Sequence, residues 1–228
     1  MVYNLHNKNL ITIEKALTKT SSLVKQAIRK SNIEDIIYHQ NIYILLLGAY
    51  IENRLNKIIF ENSTYKDIQI ESISQNSESI IIKWNKIIEI SFIKNYNLSD
   101  INILKNDIKI YKQYELMIEI IKDYISPLME LRNKIAHGQW IYPISNTNKL
   151  NSNLQNRLNS ENILSLQFKL SLVKVICNII NDLVVSPIAF KRDFSNHYKS
   201  LSNINHNLAT EDYEKFKLSL IKRSKNTK

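Results

Sequence analysis

Apolar residues recur at intervals of three and four along most of the chain, which is the period of an amphipathic helix. This pattern covers residues 10–30 and, after a short break, residues 33–60. The second stretch is apolar nearly all round between Ile42 and Ile51. Because a helix without a polar face is buried among other elements, residues 33–60 are predicted to form the central helix of a bundle.

Residues that favour helix starts mark the boundaries of the predicted helices. Ser31 and Glu34 have the spacing of a capping box, in which each side chain bonds a free backbone N–H at a helix start. Ser99 or Asp100 is expected to cap a later helix. Pro127 suits a first helical turn, because its missing N–H would have no partner there. The remaining helices are predicted over residues 78–95, 102–125, 126–138, 161–185 and 186–201, and from Thr210 onward.

Two features interrupt this pattern. Gly48 stands in the middle of the long helix, where glycine costs about 1 kcal/mol relative to alanine, and we expect a neighbouring helix to approach closely there. Residues 139–160 are rich in Asn and Ser, which predicts an irregular surface segment, with a short extended piece at 139–144.

The composition supports an all-α fold. The chain has 2 glycines and 3 prolines in 228 residues, and 44% of its residues are hydrophobic. β architectures use many more turn residues than this, whereas the apolar content is ample for a buried core. No repeat or linker is visible, so residues 1–228 are predicted to form a single domain.

The charge and the cysteine content limit the function classes. A net charge of +10 favours partners that carry phosphate, because clustered cations displace counterions from them. The lone Cys177 excludes an internal disulfide pair, and its apolar neighbours predict a buried thiol. The amino terminus lacks the pattern of a secretory signal, and the run "IYILLLGAYI" is about half a membrane span. We therefore expect a soluble, cytoplasmic protein that does not contact membranes.

The stretch "ELRNKIAHGQW", Glu130 to Trp140, concentrates the chemistry of the chain. On a helix, Asn133 and His137 share one face, and Arg132 is long enough to reach the same anion. Gly138 adds no bulk beside the histidine, so that a large ligand could approach. The opposite face carries an apolar stripe that consists of Leu128, Leu131 and Ile135.

The string "ELRNKIAHG" resembles the signature of HEPN domains, all-helical proteins whose Arg-x(4-6)-His motif, often with Asn directly after Arg, forms a metal-independent ribonuclease site. The surrounding segments follow a similar order: "GAYIENRLNKIIF" upstream, "YISPLMELRN" into the motif and "LSLQFKLSLVKVICNIINDLV" downstream. The resemblance covers about residues 32–185. It leaves an amino-terminal helix at 10–30 and a carboxy-terminal helical extension at 186–228 outside.

The resemblance implies an endoribonuclease that leaves a 2',3'-cyclic phosphate and a 5'-hydroxyl and needs no metal or cofactor. In such a reaction, His137 can act as base or acid near neutral pH, Arg132 can clamp the phosphate, and Asn133 can orient either partner. One histidine cannot easily supply both acid and base. The family solution is a homodimer in which two motifs face each other, and its biological setting is a toxin, phage-defence or stress response, with an antitoxin or other regulatory protein as partner.

Further residues are expected to support this site. HEPN domains often use a polar residue from the long upstream helix, here Glu52 or Asn53. Trp140 lies close enough to the motif to stack on a base, although a tryptophan is more often a core or interface anchor. The cations expected to contact RNA are Lys134, Lys191 and Arg192, of which the last two would more often belong to a solvated helix face.

Other interpretations remain open from the residues alone. Arg132 could instead bridge Glu130 or another helix, and His137 could cap a helix end. A non-catalytic HEPN module would use the same face to bind RNA, a nucleotide or a protein, and a structural helical protein would bury the histidine. In HEPN toxins silenced by nucleotide attachment, the modified tyrosine stands two residues beyond the histidine. Gln139 occupies that place here and Tyr142 lies further on, which argues against such control.

Overall fold

Helices occupy almost the whole of the computed structural model, which describes residues 2–61, 65–75, 77–185 and 187–225. The α-helices are α1 (Val2–Arg29), α2 (Ile33–Ile59), α3 (Asp67–Ser74), α4 (Ile80–Tyr96), α5 (Ile108–Ile120), α6 (Ser126–Ala136), α7 (Ser152–Ser160), α8 (Ile163–Val185), α9 (Pro187–Ala209) and α10 (Tyr213–Lys225). A 3-10 helix at Ile101–Asn106 and a π-helical turn at Ile121–Ile125 complete the set. Within the described ranges the only β-type pairing is an isolated bridge between Ile144 and Leu150, so the all-α prediction is confirmed.

The core is built around α2 and α8. Helix α2 packs against α1, α6, α8 and α4, and α8 packs against α4 and α9 as well. Tyr43, Leu47, Ile51 and Leu55 of α2 are fully buried, as expected for a helix that is apolar nearly all round. The buried side chains form one contiguous cluster that reaches from α1 to α10. Helix α2 is therefore the central element that the apolar pattern predicts.

Helix α8 is the one described helix that is long and apolar enough to cross a membrane by length and composition. Its inward side nevertheless packs into the bundle, where Leu166, Val173, Ile176 and Ile180 are buried. The core helix of a water-soluble protein has the same length and composition. The position of α8 therefore agrees with the expectation of a soluble protein. The run "IYILLLGAYI", which is about half a membrane span, lies instead in α2.

The start of α2 differs from the prediction. Asn32, not Ser31, is the N-cap, and its Oδ1 accepts a hydrogen bond from the Asp35 backbone N–H at 3.2 Å. Ser31 has a φ of 54°, which lies in the left-handed region that reverses the chain after α1. The predicted capping box of Ser31 and Glu34 is therefore wrong by one residue, because the reversal takes up the serine.

The segment predicted as one helix over 102–125 consists of the 3-10 helix, α5 and the π-helical turn. Asp100 caps the 3-10 helix by accepting from the Asn102 N–H at 2.7 Å, and Asp107 accepts from the N–H groups that open α5. The π-helical turn then joins α5 to α6 without a break, and Pro127 lies in the first turn of α6, as predicted, although the helical segment is continuous. A wider turn tolerates a proline, which has no N–H to donate and crowds the preceding carbonyl.

Two short helices were not predicted. Helix α7 lies within the segment expected to be irregular, where Leu154 and Leu158 are buried. Asn151 caps α7 by accepting from the Leu154 N–H at 3.1 Å. Helix α3 buries only Ile73, so it carried almost no periodic signal. The polar composition of both segments concealed helices that are held by one or two apolar contacts.

Candidate active site at the end of the motif helix

The motif helix α6 lies against the middle of α2, where Gly48 provides the space for Arg132. A Cβ atom at Gly48 would lie 2.5 Å from Cγ of Arg132, a distance that real atoms do not adopt. The aliphatic part of the arginine therefore rests directly on the α2 backbone. The predicted close approach at Gly48 is confirmed, and the group that approaches is the side chain of the motif arginine.

The guanidinium of Arg132 is held by two neighbours. Its Nη2 donates to Oε2 of Glu52 at 2.7 Å, and its Nη1 donates to Oδ1 of Asn133 at 3.0 Å. Glu52 stands one helical turn after Gly48, so one face of α2 both admits the arginine and fixes its charged end. The side chain of Arg132 remains 24% exposed. Because a guanidinium has five N–H groups, donors remain for an external anion.

His137 stands where α6 ends. It is the C-cap residue, with φ of −92° and ψ of 21°, and its side chain is exposed. Within the described ranges its imidazole has no hydrogen-bond partner, so neither ring nitrogen is committed to an internal contact. His137 therefore caps the end of α6 through its backbone N–H, as the structural alternative predicted. Its exposed ring does not match the interpretation in which the histidine is buried.

Gly138 explains why the helix stops at the histidine. Its φ is +80°, in the left-handed region where glycine has no steric penalty. The Gly138 N–H then bonds the Ile135 carbonyl, and the Gln139 N–H bonds the Lys134 carbonyl, both at 3.0 Å, which is the Schellman pattern of a helix end. Nothing lies within 4 Å of a Cβ built at Gly138. The space beside His137 is therefore open.

The chain beyond the motif folds back onto α2. Asn41 donates to the Trp140 carbonyl at 3.1 Å, and the rings of Tyr38 and Trp140 lie 5.4 Å apart. Tyr38, Asn41 and Trp140 line a pocket of about 710 Å³. Lys134 donates to the Ile144 carbonyl at 2.5 Å, so this predicted RNA contact also secures the loop that follows the motif.

The other predicted residues lie elsewhere or in other roles. Asn53 follows Glu52 on α2, but its Oδ1 is buried without a hydrogen-bond partner in the described structure, so Glu52 is the one that contacts Arg132. Lys191 and Arg192 are exposed on α9, which packs against α8. Arg192 pairs with Asp193 at 2.6 Å and holds the pKa of that carboxyl below its usual value. The structure therefore does not bring these two cations to the motif.

Cys177 lies apart from this site. The thiol is buried, as predicted, and burial raises its pKa although Arg54 lies beside it. A raised pKa keeps the thiol protonated and unreactive. Among the residues that the structure describes, no three His, Cys, Asp or Glu side chains are grouped so that they could hold a metal ion.

Sequence reasoning named Gly48 and Glu52 of α2 separately but did not connect them with Arg132, and it missed Tyr38 and Asn41. Gly48 and Glu52 are four apart and therefore share a face of the helix, and an acidic residue one turn after a lone glycine in a buried helix was the available signal. Tyr38 and Asn41 gave no comparable signal, because their contacts with Trp140 depend on how the loop folds back.

Comparison of the chain with protein-family models, with curated protein sequences and with solved structures finds no match. The chemistry that can be assigned to the site therefore follows from its own residues. A fixed, partly exposed guanidinium and an uncommitted imidazole on one short helix can bind an oxyanion and exchange a proton with it.

Proposed function

We propose that this protein is a HEPN-type, metal-independent endoribonuclease that cleaves RNA to 2',3'-cyclic phosphate and 5'-hydroxyl ends. The observation that carries the proposal is the placement of Arg132. Gly48 admits its side chain, Glu52 and Asn133 hold its guanidinium, and the same helix ends at the exposed His137. The ion pair with Glu52 is also what a structural arginine that bridges two helices would show, so the exposed imidazole at the end of the same helix is what favours catalysis.

The reaction assigns one step to each group. The ribose 2'-oxygen attacks the phosphorus atom and gives its proton to an imidazole acting as base. The bond from phosphorus to the 5'-oxygen breaks, and that oxygen takes a proton from an acid. Arg132 donates to the non-bridging oxygens, on which negative charge grows. Asn133, which already contacts the guanidinium, keeps it pointed at the phosphate.

We propose that a second copy of the chain supplies the acid, so that two His137 residues share one cleft. The surface beside the motif supports this arrangement, because it exposes apolar side chains that a partner would cover. Those with the greatest exposure are Tyr142 at 64%, Ile141 at 62%, Tyr38 at 53% and Ile37 at 50%. The resemblance implies a toxin, phage-defence or stress-response role, with an antitoxin or other regulatory protein as partner, and we propose that the enzyme acts in the cytoplasm.

The test is RNA cleavage in excess EDTA by the native chain and by Arg132→Ala, His137→Ala and His206→Ala proteins. His206 is an exposed histidine on α9 and provides the matched control. We expect the native and His206→Ala proteins to cleave, and the first two variants to lose roughly a hundredfold or more in rate. Equal cleavage by all four proteins would remove the motif from the reaction. RNA binding without cleavage by the native chain would instead identify a non-catalytic RNA-binding module.

A further inference from the structure

A groove of about 1180 Å³ runs between α1 and α8, with Leu17 and Tyr43 at its floor. None of the motif residues lines it. Helix α1 also lies outside the part of the chain that resembles HEPN domains. The groove is therefore a separate surface feature that the proposed cleavage reaction does not use.

Five cations line this groove: Lys15, Lys19, Lys25 and Arg29 from α1 and Lys174 from α8. Lys15, Lys19 and Arg29 are exposed, and their positions place them on one face of α1. Arg29 follows Lys15 by fourteen positions, which corresponds to about 21 Å along the helix. The positive charge therefore forms a line along a concave surface.

These charges are poorly neutralised within the chain. Glu14 is the one acidic residue that lines the groove, and it lies 4.0 Å from Lys174. Across the described ranges the side chains of Lys15, Lys19 and Arg29 form no ion pair and no hydrogen bond. Like charges in a row repel each other, and a bound polyanion would remove that cost while it released its counterions.

We propose that this groove binds the phosphate backbone of RNA, as a second contact surface that holds the substrate apart from the cleavage site. The inference deepens the proposed ribonuclease function and rests on it for the identity of the polyanion. Tyr43 is the one aromatic residue in the lining and is 1% exposed, so no ring is available to stack on bases. Binding at the groove is therefore independent of base sequence.

An acidic protein and an anionic membrane surface fit the groove less well than RNA does. Protein interfaces are centred on exposed apolar or aromatic anchors, whereas Leu17 and Tyr43 at this floor are buried and Ile11, at 45%, is the most exposed apolar side chain of the lining. A bilayer surface is flat on this scale and cannot follow a concave groove between two helices. A flexible chain of phosphates can enter the groove and reach cations on both walls.

The experiment measures RNA affinity in a His137→Ala background, so that the RNA stays intact. The groove variant is Lys15→Gln/Lys19→Gln/Arg29→Gln. The matched control is Lys112→Gln/Lys122→Gln/Lys199→Gln, which removes the same charge from exposed positions outside the groove. A charge-retaining variant, Lys15→Arg/Lys19→Arg/Arg29→Lys, tests whether charge alone is required. Thermal unfolding of each variant shows that it is folded.

We expect the groove variant to bind a mixed-sequence RNA about tenfold or more weakly, and the slope of log affinity against log salt to fall by about 2. The control and the charge-retaining variant should bind as the parent does. Equal losses in the groove and control variants would overturn the proposal, since net charge would then explain binding. Absence of RNA binding by the parent would also overturn the proposal. The same holds if the groove variant binds RNA as the parent does and loses affinity only for vesicles with phosphatidylserine or for a polyglutamate peptide.

The two proposals fail in different ways. If the native chain does not cleave RNA but the groove variant loses affinity, the groove binds RNA and the catalytic proposal is wrong. If the native chain cleaves RNA through the motif but the groove variant binds like the control, the groove proposal is wrong and the catalytic proposal stands.

Discussion

Arg132 depends on the absence of a side chain at Gly48. Gly48→Ala would gain about 1 kcal/mol of helix propensity, but the new Cβ would overlap Cγ of Arg132, which must then leave its place beside Glu52. Because these two effects oppose each other, we expect the unfolding midpoint to move by less than about 4 °C. RNA cleavage should fall roughly a hundredfold, because the guanidinium no longer faces the phosphate. Thermal unfolding and cleavage rates, measured on the same preparation, check this prediction.

Glu52→Ala displaces the guanidinium of Arg132 in a second, independent way. It leaves the space at Gly48 unchanged but removes the acceptor that holds Nη2 of Arg132. The ion pair is partly exposed, so its loss should cost less than about 1 kcal/mol of stability, while cleavage again falls. Unchanged cleavage in both Gly48→Ala and Glu52→Ala would show that the position of Arg132 does not matter for activity.

At the scale of the element, the end of α6 determines where His137 stands. Gly138 has a φ that L residues rarely adopt, so Gly138→Ala should cost about 1 kcal/mol, whereas asparagine adopts this conformation more easily and should cost less. Urea unfolding of the two variants measures the difference. No atom lies within 4 Å of the alanine methyl group, so the expected cost comes from the positive φ at this position. Equal stability of Gly138→Ala and the native chain would therefore contradict the assigned helix end.

The helices that could be predicted are those with a continuous apolar period. Helix α2 and the close approach at Gly48 follow from the sequence because burial on every side leaves a clear pattern. The capping of α2 by Asn32 did not follow, because Ser31 and Asn32 are both good caps and only the chain reversal selects one. The π-helical turn before α6 depends on how α5 and α6 pack, and a local motif does not encode that packing.

The candidate site likewise contains residues that the sequence predicts and residues whose place depends on packing. Arg132, Asn133 and His137 stand out in the sequence because three polar groups of different chemistry fall within six residues of one short helix. The choice of Glu52 over Asn53 required the packing of α2 on α6, since neighbouring residues point in different directions on a helix. Lys191 and Arg192 drew attention by charge alone, and charge does not determine position.

At the scale of the whole molecule, the proposed dimer should depend on the apolar surface beside the motif. Ile141 is 62% exposed, so Ile141→Asp should leave the fold intact, convert a dimer of 26.8 kDa chains to a monomer and abolish cleavage. Ile188, which is 85% exposed on α9, provides the matched control, and Ile188→Asp should remain dimeric and active. Sedimentation measures the mass. An active monomer would contradict the shared cleft.

If His137 and Arg132 cleave RNA without a metal, the chemical ends of the RNA fragments must show it. A defined RNA is incubated in EDTA with the native chain or with His137→Ala protein from a parallel preparation, and the fragments are measured by mass spectrometry. We predict a 2',3'-cyclic phosphate and a 5'-hydroxyl with the native chain, and intact RNA with the variant. Fragments with 5'-phosphate ends, or the same cyclic ends from the His137→Ala protein, would show that His137 does not catalyse this cleavage.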